Sequence, residues 1–521
     1  MLPGRITTGG RMQMNAVTAS NPVTGEFKKL FQQSSHYLLG IGGTMALGFI
    51  SFPIFTRMFS IADYGMIDYA SKILLLLTAL SKAGMQNSVL RFFNHKDFAS
   101  DPAAAKRYYS TAFFGVSAIA ALVTIPLIGL GFLPASLSGG PLASILCFAS
   151  SLVFLRAIQS ILWSFLRIEE RTKASNVVTF LLKAFTILAV ILLLPGFGAS
   201  VKTYFIAVMA VELAVVIVLI ALLVRRGLLH PTSFDPILFR AAVSFGLPLV
   251  LQEASGIVLD SGDRFMVDRY MGADALGFYS VAYGLSGYIN TILMAPLGLA
   301  IIPIYMRLWN TEGSAKTSEF LSRGLDLFIM AAVGTLAIVL VVSHDAVTLL
   351  ASAKYSGADK LIPVIVAGLL IYAAQIFLNA GLMIHKRTYA MAGALTASCI
   401  LNLALNALLL PRIGLQAAAI ATFISYAFCT FLLARLAFKV LPMTLALKPI
   451  GGYLIAGTVA WAVVSNIDFG STFINFTGKS VFSLAIYAAI LYALDSRIRA
   501  FAAQTWSHLR GQTAVPGSVT L

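Results

Sequence analysis

The chain has 521 residues, of which 59% are hydrophobic and only 11% charged, a balance that a water-soluble fold cannot keep in solution. Its 37 Lys and Arg against 21 Asp and Glu leave a net charge of +16, yet no soluble stretch gathers those cations into a nucleic-acid footprint. Composition therefore places the chain in a bilayer and excludes nucleic acid as a partner.

In chain order, residues 1–35 are polar and lack a compact apolar core before a small-residue cleavage site, so they read as a cytoplasmic tail and not a signal peptide. Apolar runs follow at 37–55, 64–89, 108–132, 142–166, 174–194 and 204–224. After a polar break they resume at 241–259, 278–303, 325–342, 361–384, 389–410, 416–438, 450–464 and 481–494. Most approach or exceed the ~20 residues that cover ~30 Å of hydrocarbon as a helix. Alternating barrel strands are absent, so the expected fold class is an all-α polytopic membrane protein of about 14 transmembrane helices.

Orientation follows from the basic residues. With the N-terminus inside, about 25 of the 37 Lys and Arg fall on cytoplasmic segments and about 8 on the opposite side. Both termini are then cytoplasmic, which makes the net charge mostly a topology signal. Cys147, Cys399 and Cys429 are scattered without ligand spacing, and the six histidines are dispersed, so no metal or cofactor is expected.

The chain also resembles itself. A shift of about 216 residues lays Arg171, Thr172 and Ala174 on Arg387, Thr388 and Ala390, and Pro195 and Gly198 on Pro411 and Gly414. Nearer the N-terminus, Arg57 and Gly65 fall on Arg269 and Gly277 at a shift of about 212. Six helices separate equivalent positions, and six is even, so the copies run the same way through the membrane. Two parallel six-helix lobes, 36–226 and 241–440, are expected around a central cavity, joined by a cytoplasmic linker at 227–240. A helix pair at 441–495 and a cytoplasmic tail at 496–521 complete the chain. Prolines 53, 126, 248, 296, 303 and 363 fall inside spans. Their bends suit lobes that splay apart, and equally reflect the tolerance of membrane helices for proline.

Ionisable groups in hydrocarbon cost at least ~2.5–3.5 kcal/mol each and ask for a reason. Asp68 with Lys72, and Asp260 with Arg264, lie four apart and are expected to neutralise each other within their helices. Lys82, Arg156 and Lys183 have no acid three or four positions away, and all belong to the first lobe. The repeat puts Tyr372 and Cys399 opposite Arg156 and Lys183, which predicts a cavity with one cationic wall suited to an anionic head such as a pyrophosphate. The alternative is that these cations pair across helices with Glu212 or Glu253. Glu212 and Glu253, or the Asn402 and Asn406 pair one turn apart, are candidates for ion coupling; such asparagines also hold helices together.

The segments Arg57-Met-Phe-Ser-Ile-Ala-Asp-Tyr-Gly65 and Asp263-Arg-Phe-Met-Val-Asp-Arg-Tyr-Met-Gly272, the latter followed by Gly277-Phe-Tyr-Ser-Val-Ala-Tyr283, resemble signatures of the bacterial polysaccharide transporter family. These flippases belong to the multidrug, oligosaccharidyl-lipid and polysaccharide exporter superfamily. The resemblance implies transport of undecaprenyl-pyrophosphate-linked oligosaccharides across the inner membrane, with the lipid-linked oligosaccharide as partner beside polymerase and chain-length or export proteins. It implies that Lys82, Arg156 and Lys183 contact the head. A membrane glycosyltransferase, polymerase or ligase would need a larger outer loop than that around 343–360, so an enzyme is disfavoured. A peptidoglycan-precursor flippase and a multidrug exporter are the transporter alternatives.

Overall fold

The computed structural model describes residues 42–92, 101–130 and 141–500, and every described element is helical. Segment 1–35 and most of 496–521, both expected as tails, lie outside the described residues, as does Lys96 on the first cytoplasmic loop.

Helix α1 covers 42–58. Ser60 then caps α2 (Ile61–Ser81), its Oγ accepting the Asp63 amide, while the Asp63 carboxylate favours the positive end of the helix dipole. The sequence predicts one helix over 64–89, but α2 stops at Lys82. Ala83 (φ 47°) and Gly84 (φ 69°) adopt left-handed backbone, and α3 (Met85–Phe92) leaves at 45°. The first lobe continues with α4 (Pro102–Leu130), α5 (Pro141–Ala149), α6 (Ser151–Ile168), α7 (Thr172–Phe197) and α8 (Val201–Arg225).

The Asp235 carboxylate accepts the amides of Ile237 and Leu238, and Pro236 sits where its missing N–H costs nothing, so a helix starts inside the stretch expected as linker. From Pro236 to Ala346 the backbone leaves the helix only at Gly272 (φ 81°, ψ 179°) and Gly313 (φ 81°, ψ −170°), a region open essentially to glycine. These breaks define α9 (236–271), α10 (273–312) and α11 (314–346), each longer than its apolar run. Then come α12 (Ile362–Ala373), extended by short turns to Ile384, α13 (Thr388–Ile413), α14 (Gln416–Phe438), α15 (Leu447–Val464) and α16 (Thr472–Leu494).

By length and composition, eight helices among the described residues can cross a membrane, or nine with the bent pair α2 and α3 taken together. One of the eight is the run from Pro236 that the two glycines divide, and α12 and α15 are shorter apolar helices. The protein is thus a multi-pass, all-α membrane protein.

The sequence repeat reappears in the backbone. Both α7 and α13 are 26 residues long, follow a residue of nearly the same conformation (Arg171, φ −84°, ψ 49°; Arg387, φ −82°, ψ 54°), and stop at Gly198 and Gly414. Gly65 and Gly277, equivalent by the repeat, touch: a Cβ on Gly65 would lie 2.5 Å from the Gly277 nitrogen. Equivalent positions that meet must straddle the axis relating the copies, so that axis passes between α2 and α10.

Buried side chains divide accordingly. One core runs from Phe59 to Ala242 and another gathers Leu259 to Ala437 with Phe52 and Tyr69. Helix α9 begins in the first and ends in the second, crossing between them. The last two helices dock on α11: Tyr453 and Tyr487 pack over Ile329, Met330 and Val333, the Arg497 guanidinium lies 2.8 Å from Asp326, and Lys479 lies 3.2 Å from Asp345.

At the α2 break the backbone of α9 comes so close that a Cβ on Gly84 would lie 2.2 Å from the Gly246 oxygen. Gly84→Ala therefore combines left-handed strain with a backbone clash and is expected to cost roughly 2–4 kcal/mol. Its thermal unfolding midpoint in detergent should fall well below that of Gly256→Ala, where the added methyl meets open space.

Candidate functional site

Asp68 and Lys72 of α2, Lys82 at its end and Gln86 of α3 face α9, which runs antiparallel to α2 and presents Arg264, Asp260, Glu253 and Ala242 in the opposite order. The result is a ladder. Arg264 Nε donates to Asp68 Oδ2 at 2.7 Å, and Lys72 Nζ to Asp260 Oδ2 at 3.4 Å. Further in, Glu253 accepts from Lys82 Nζ at 2.8 Å and from Gln86 Nε2 at 3.0 Å. At the far end of the ladder Ser88 Oγ donates to the Ala242 carbonyl and the Arg91 guanidinium lies 4.4 Å over the Phe245 ring.

The expected within-helix pairs Asp68–Lys72 and Asp260–Arg264 are therefore not what forms; the partners are exchanged between helices. The cause is the antiparallel register: one turn along α2 matches one turn back along α9, so each acid meets the opposite helix's cation at its own depth. Arg264 touches Asp260 only through its backbone oxygen, at 3.0 Å.

Behind the ladder lies a buried polar cluster. Asp263, fully buried, accepts from the Tyr279 hydroxyl, from Thr422 Oγ1 at 3.0 Å and from the Arg264 amide at 2.8 Å. Asp260 accepts from Tyr283 at 3.0 Å and Tyr426 at 3.3 Å. The Arg264 guanidinium also covers the Tyr283 ring at 4.4 Å. Four residues of the second sequence motif, Asp263, Arg264, Tyr279 and Tyr283, thus build one network, and its Gly277 makes the contact with Gly65.

The three predicted head contacts separate. Lys82 is held by Glu253, and Arg156 by Glu212 through Nε at 3.0 and 3.2 Å, the cross-helix pairing given above as the alternative. Lys183, half-buried on α7, makes no ion pair or hydrogen bond among the described residues. Across this level five cations (Lys72, Lys82, Arg156, Lys183, Arg264) face five carboxylates (Asp68, Glu212, Glu253, Asp260, Asp263), so the walls are mixed in charge. The side chain of Asp260 is nonetheless 42% exposed and that of Glu253 31%. A charge held open to hydrocarbon is too costly, so these groups face a wet interior between the helices.

Asn402 and Asn406 are fully buried; Asn406 Nδ2 donates to the Asn402 side-chain oxygen at 3.2 Å and to its carbonyl at 2.9 Å. Asn402 Nδ2 and Asn406 Oδ1 have no hydrogen-bond partner among the described residues. Among the described residues no group of three or more His, Cys, Asp or Glu is placed to hold a metal.

At the other end of the bundle from Arg91 the helices are joined by two cations, Arg57, which opens the first sequence motif, and Lys354, which sequence reasoning did not select. Arg57, at the end of α1, donates to the carbonyls of Leu349 at 2.7 Å and Leu350 at 3.3 Å, and Lys354 Nζ donates back to the Phe59 carbonyl at 2.7 Å. Burial first and the Arg57 charge second lower the Lys354 ammonium from its ordinary pKa. Nothing in sequence marked Lys354, since its role depends on a carbonyl nearly three hundred residues away.

A family model described as polysaccharide biosynthesis protein matches residues 30–309, more than half of the chain. No curated protein matches in sequence. Among solved structures the fold is similar to that of the lipid II flippase MurJ in an inward closed conformation (TM-score 0.70, 13% identity, 89% of this chain and 98% of that one). It is also similar to an inward-facing multidrug resistance MATE family transporter of the MOP superfamily (0.61, 12% identity, 78% and 95%). A third likeness is to a MOP superfamily transporter from Pyrococcus furiosus described by the reverse polarity of its binding pocket (0.52, 13% identity, 81% and 96%). At these identities the likeness is one of fold.

Proposed function

We propose that this chain, which belongs to the polysaccharide biosynthesis protein family, is a flippase for lipid-linked oligosaccharides. Its substrate is an undecaprenyl-pyrophosphate-linked repeat unit, carried across a bacterial inner membrane for exopolysaccharide, capsule or O-antigen assembly. Both termini lie in the cytoplasm, lobes 36–226 and 241–440 rock about the axis between α2 and α10, and the pair at 441–495 moves with the second lobe.

The observation that carries this reading is the set of cations held deep among membrane helices, two of them paired with carboxylates that a phosphate oxygen could replace. Lys183 offers an unmatched charge, and Lys82 and Arg156 become available when Glu253 and Glu212 swing or take a proton. That exchange makes Glu212 and Glu253 the first candidates for ion coupling. The orphaned Asn402 and Asn406 amides are a second candidate, since Asn406 Oδ1 is free to bind a small cation.

Charge-assisted hydrogen bonds contribute about 1.5–3 kcal/mol each. The triple variant Lys82→Gln, Arg156→Gln, Lys183→Gln should therefore lose at least about a hundredfold in translocation by reconstituted vesicles, at a normal level of inserted protein. Full translocation by that variant would remove the cations from the substrate path. The fold likeness to the lipid II flippase favours a second reading, a peptidoglycan-precursor flippase, and the multidrug exporter remains the third. Vesicles offered a polyprenyl-diphosphate oligosaccharide, lipid II or a cationic dye in parallel separate the three.

A further inference from the structure

Four tyrosine hydroxyls meet in the outer half of the bundle without a hydrogen bond among the described residues: Tyr64 of α2, Tyr204 of α8, Tyr288 of α10 and Tyr355 of the turn Ala353–Ala358. Their rings pack on one aromatic stripe of α1. Phe52 stands edge-on to Tyr64 at 6.1 Å and to Tyr288 at 5.9 Å, and Phe55 and Phe59 stand against Tyr204 at 5.9 and 6.2 Å. Tyr355 closes over Tyr64 at 6.2 Å. Packing alone would be served as well by phenylalanine, because a phenol buried without a partner costs its desolvation.

Several deep tyrosines elsewhere in this bundle are satisfied: Tyr109 donates to Glu169, Tyr279 to Asp263, Tyr283 to Asp260 and Tyr487 to the Met330 carbonyl, whereas Tyr69 and Tyr305 are buried singly without a hydrogen bond among the described residues. What sets the four apart is that they cluster around Tyr64. Tyr355 is completely buried with its hydroxyl orphaned, while Tyr64, Tyr204 and Tyr288 are half-buried and keep accessible surface deep among the helices. They also sit one step outward from the ladder. Tyr64 precedes Asp68 by one turn and Tyr204 precedes Glu212 by two, and Tyr64 lies within electrostatic reach of Tyr204, Tyr288 and Tyr355.

Resting on the flippase reading above, we infer that Tyr64, Tyr204 and Tyr288 form a saccharide subsite, with Tyr355 as its roof, directly outward of the charges that take the diphosphate. Hydroxyl groups arrayed on rigid aromatic faces fit a sugar: ring faces cover its C–H surface while phenols donate to and accept from its hydroxyls. The cations recognise what every lipid carrier shares, and the tyrosines read what differs. When the outer contacts part, the Tyr355 hydroxyl is uncovered and joins the set.

The test uses the full chain in lipid nanodiscs with two probes, a polyprenyl diphosphate bearing one N-acetylhexosamine and the same lipid without sugar. The triple variant Tyr64→Phe, Tyr204→Phe, Tyr288→Phe keeps every ring and should fold as the parent does, which an unchanged unfolding midpoint verifies. We expect it to lose about tenfold in affinity for the sugar-bearing lipid and nothing for the bare one. Equal affinity of parent and variant for the sugar-bearing lipid overturns the subsite, as does an equal loss for both lipids. The Gln variant of Lys82, Arg156 and Lys183 separates the two readings, since it should lose both lipids. If it keeps them while the tyrosine variant loses only the sugar-bearing one, the cation assignment fails and the subsite stands. A free oligosaccharide competing with the sugar-bearing lipid as well as the lipid does with itself would show that the tyrosines serve a soluble sugar, and would overturn the lipid-linked assignment.

Discussion

Arg264→Leu is expected to deplete folded protein from the membrane and, in what remains, to lower stability by about 3–5 kcal/mol. The arginine side chain is 2% exposed and serves two carboxylates, Asp68 at 2.7 Å and Asp263 at 3.4 Å. Removing it leaves both acids without their cation, and Asp263 has no route to water. Taking one partner from a buried pair strands the other charge, which costs far more than the pair itself contributes. Arg264→Lys retains the charge but not the fork that reaches Asp68 and the Asp260 carbonyl together, so an intermediate loss is expected. Adding Asp68→Asn and Asp263→Asn to Arg264→Leu should recover most of the deficit, because three neutral side chains no longer need one another. Unfolding midpoints in detergent and the yield of monodisperse protein measure all three. A triple variant no better than Arg264→Leu would mean that the arginine acts by its bulk and its place against the Tyr283 ring, and not as a counter-ion.

How far the sequence disclosed this arrangement depends on whether the information was local. Apolar runs are local, and their described residues are helical, although those at 64–89, 142–166 and 361–384 are interrupted; caps such as Ser60 and Asp235 are local too. Helix ends at α10 and α11 were underestimated because polar turns such as Thr311 to Lys316 extend helices beyond the hydrocarbon, where hydropathy is silent. The glycines that end those helices, Gly272 and Gly313, look in sequence like any other glycine.

The charges were found, but the partners of Asp68, Lys72, Asp260 and Arg264 were not. An acid and a base four apart satisfy a one-helix argument completely, and only the antiparallel neighbour, bearing its own pair at the same spacing, offers the exchange. The clue was present: Asp68 then Lys72 on one helix, Asp260 then Arg264 on a helix running the other way, so that unlike charges fall opposite one another in register. For Lys82 and Arg156 the sequence offered Glu253 and Glu212 only as an alternative to a ligand, because which helices adjoin is not a local property; α9 and α8 bring those acids to them. Tyr64, Tyr204 and Tyr288 come from three helices, and no spacing along the chain reveals that Tyr64 lies near the other two.

The second large effect is expected at the ends that the proposed orientation places outside, where the cores meet through two reciprocal contacts. A helix leaves its last carbonyls unsatisfied, and their partial negative charge attracts a cation. Here each partner supplies the other's cap: Arg57, from the end of α1, reaches the last turn after α11, and Lys354, beyond that turn, reaches the end of α1. Closure thus satisfies both ends together, and parting them leaves both bare. Because Arg57 and Lys354 are exposed, each contact contributes about 1 kcal/mol, and their joint loss shifts the ratio of closed to open by roughly thirtyfold. In a background with Cys147, Cys399 and Cys429 replaced by Ser, Ser71→Cys places one thiol beside the ladder, out of reach of an impermeant maleimide while the outer end is shut. Arg57→Gln with Lys354→Gln should raise its labelling rate from outside by about tenfold or more, each single change giving part of the increase. Labelling as slow as in the parent would place the outer closure in the Gly65–Gly277 contact alone. There a backbone approach too close for any Cβ needs no charge to hold it, and Gly277→Ala, whose methyl would lie 2.2 Å from the Ile61 oxygen, becomes the change that opens the outer face.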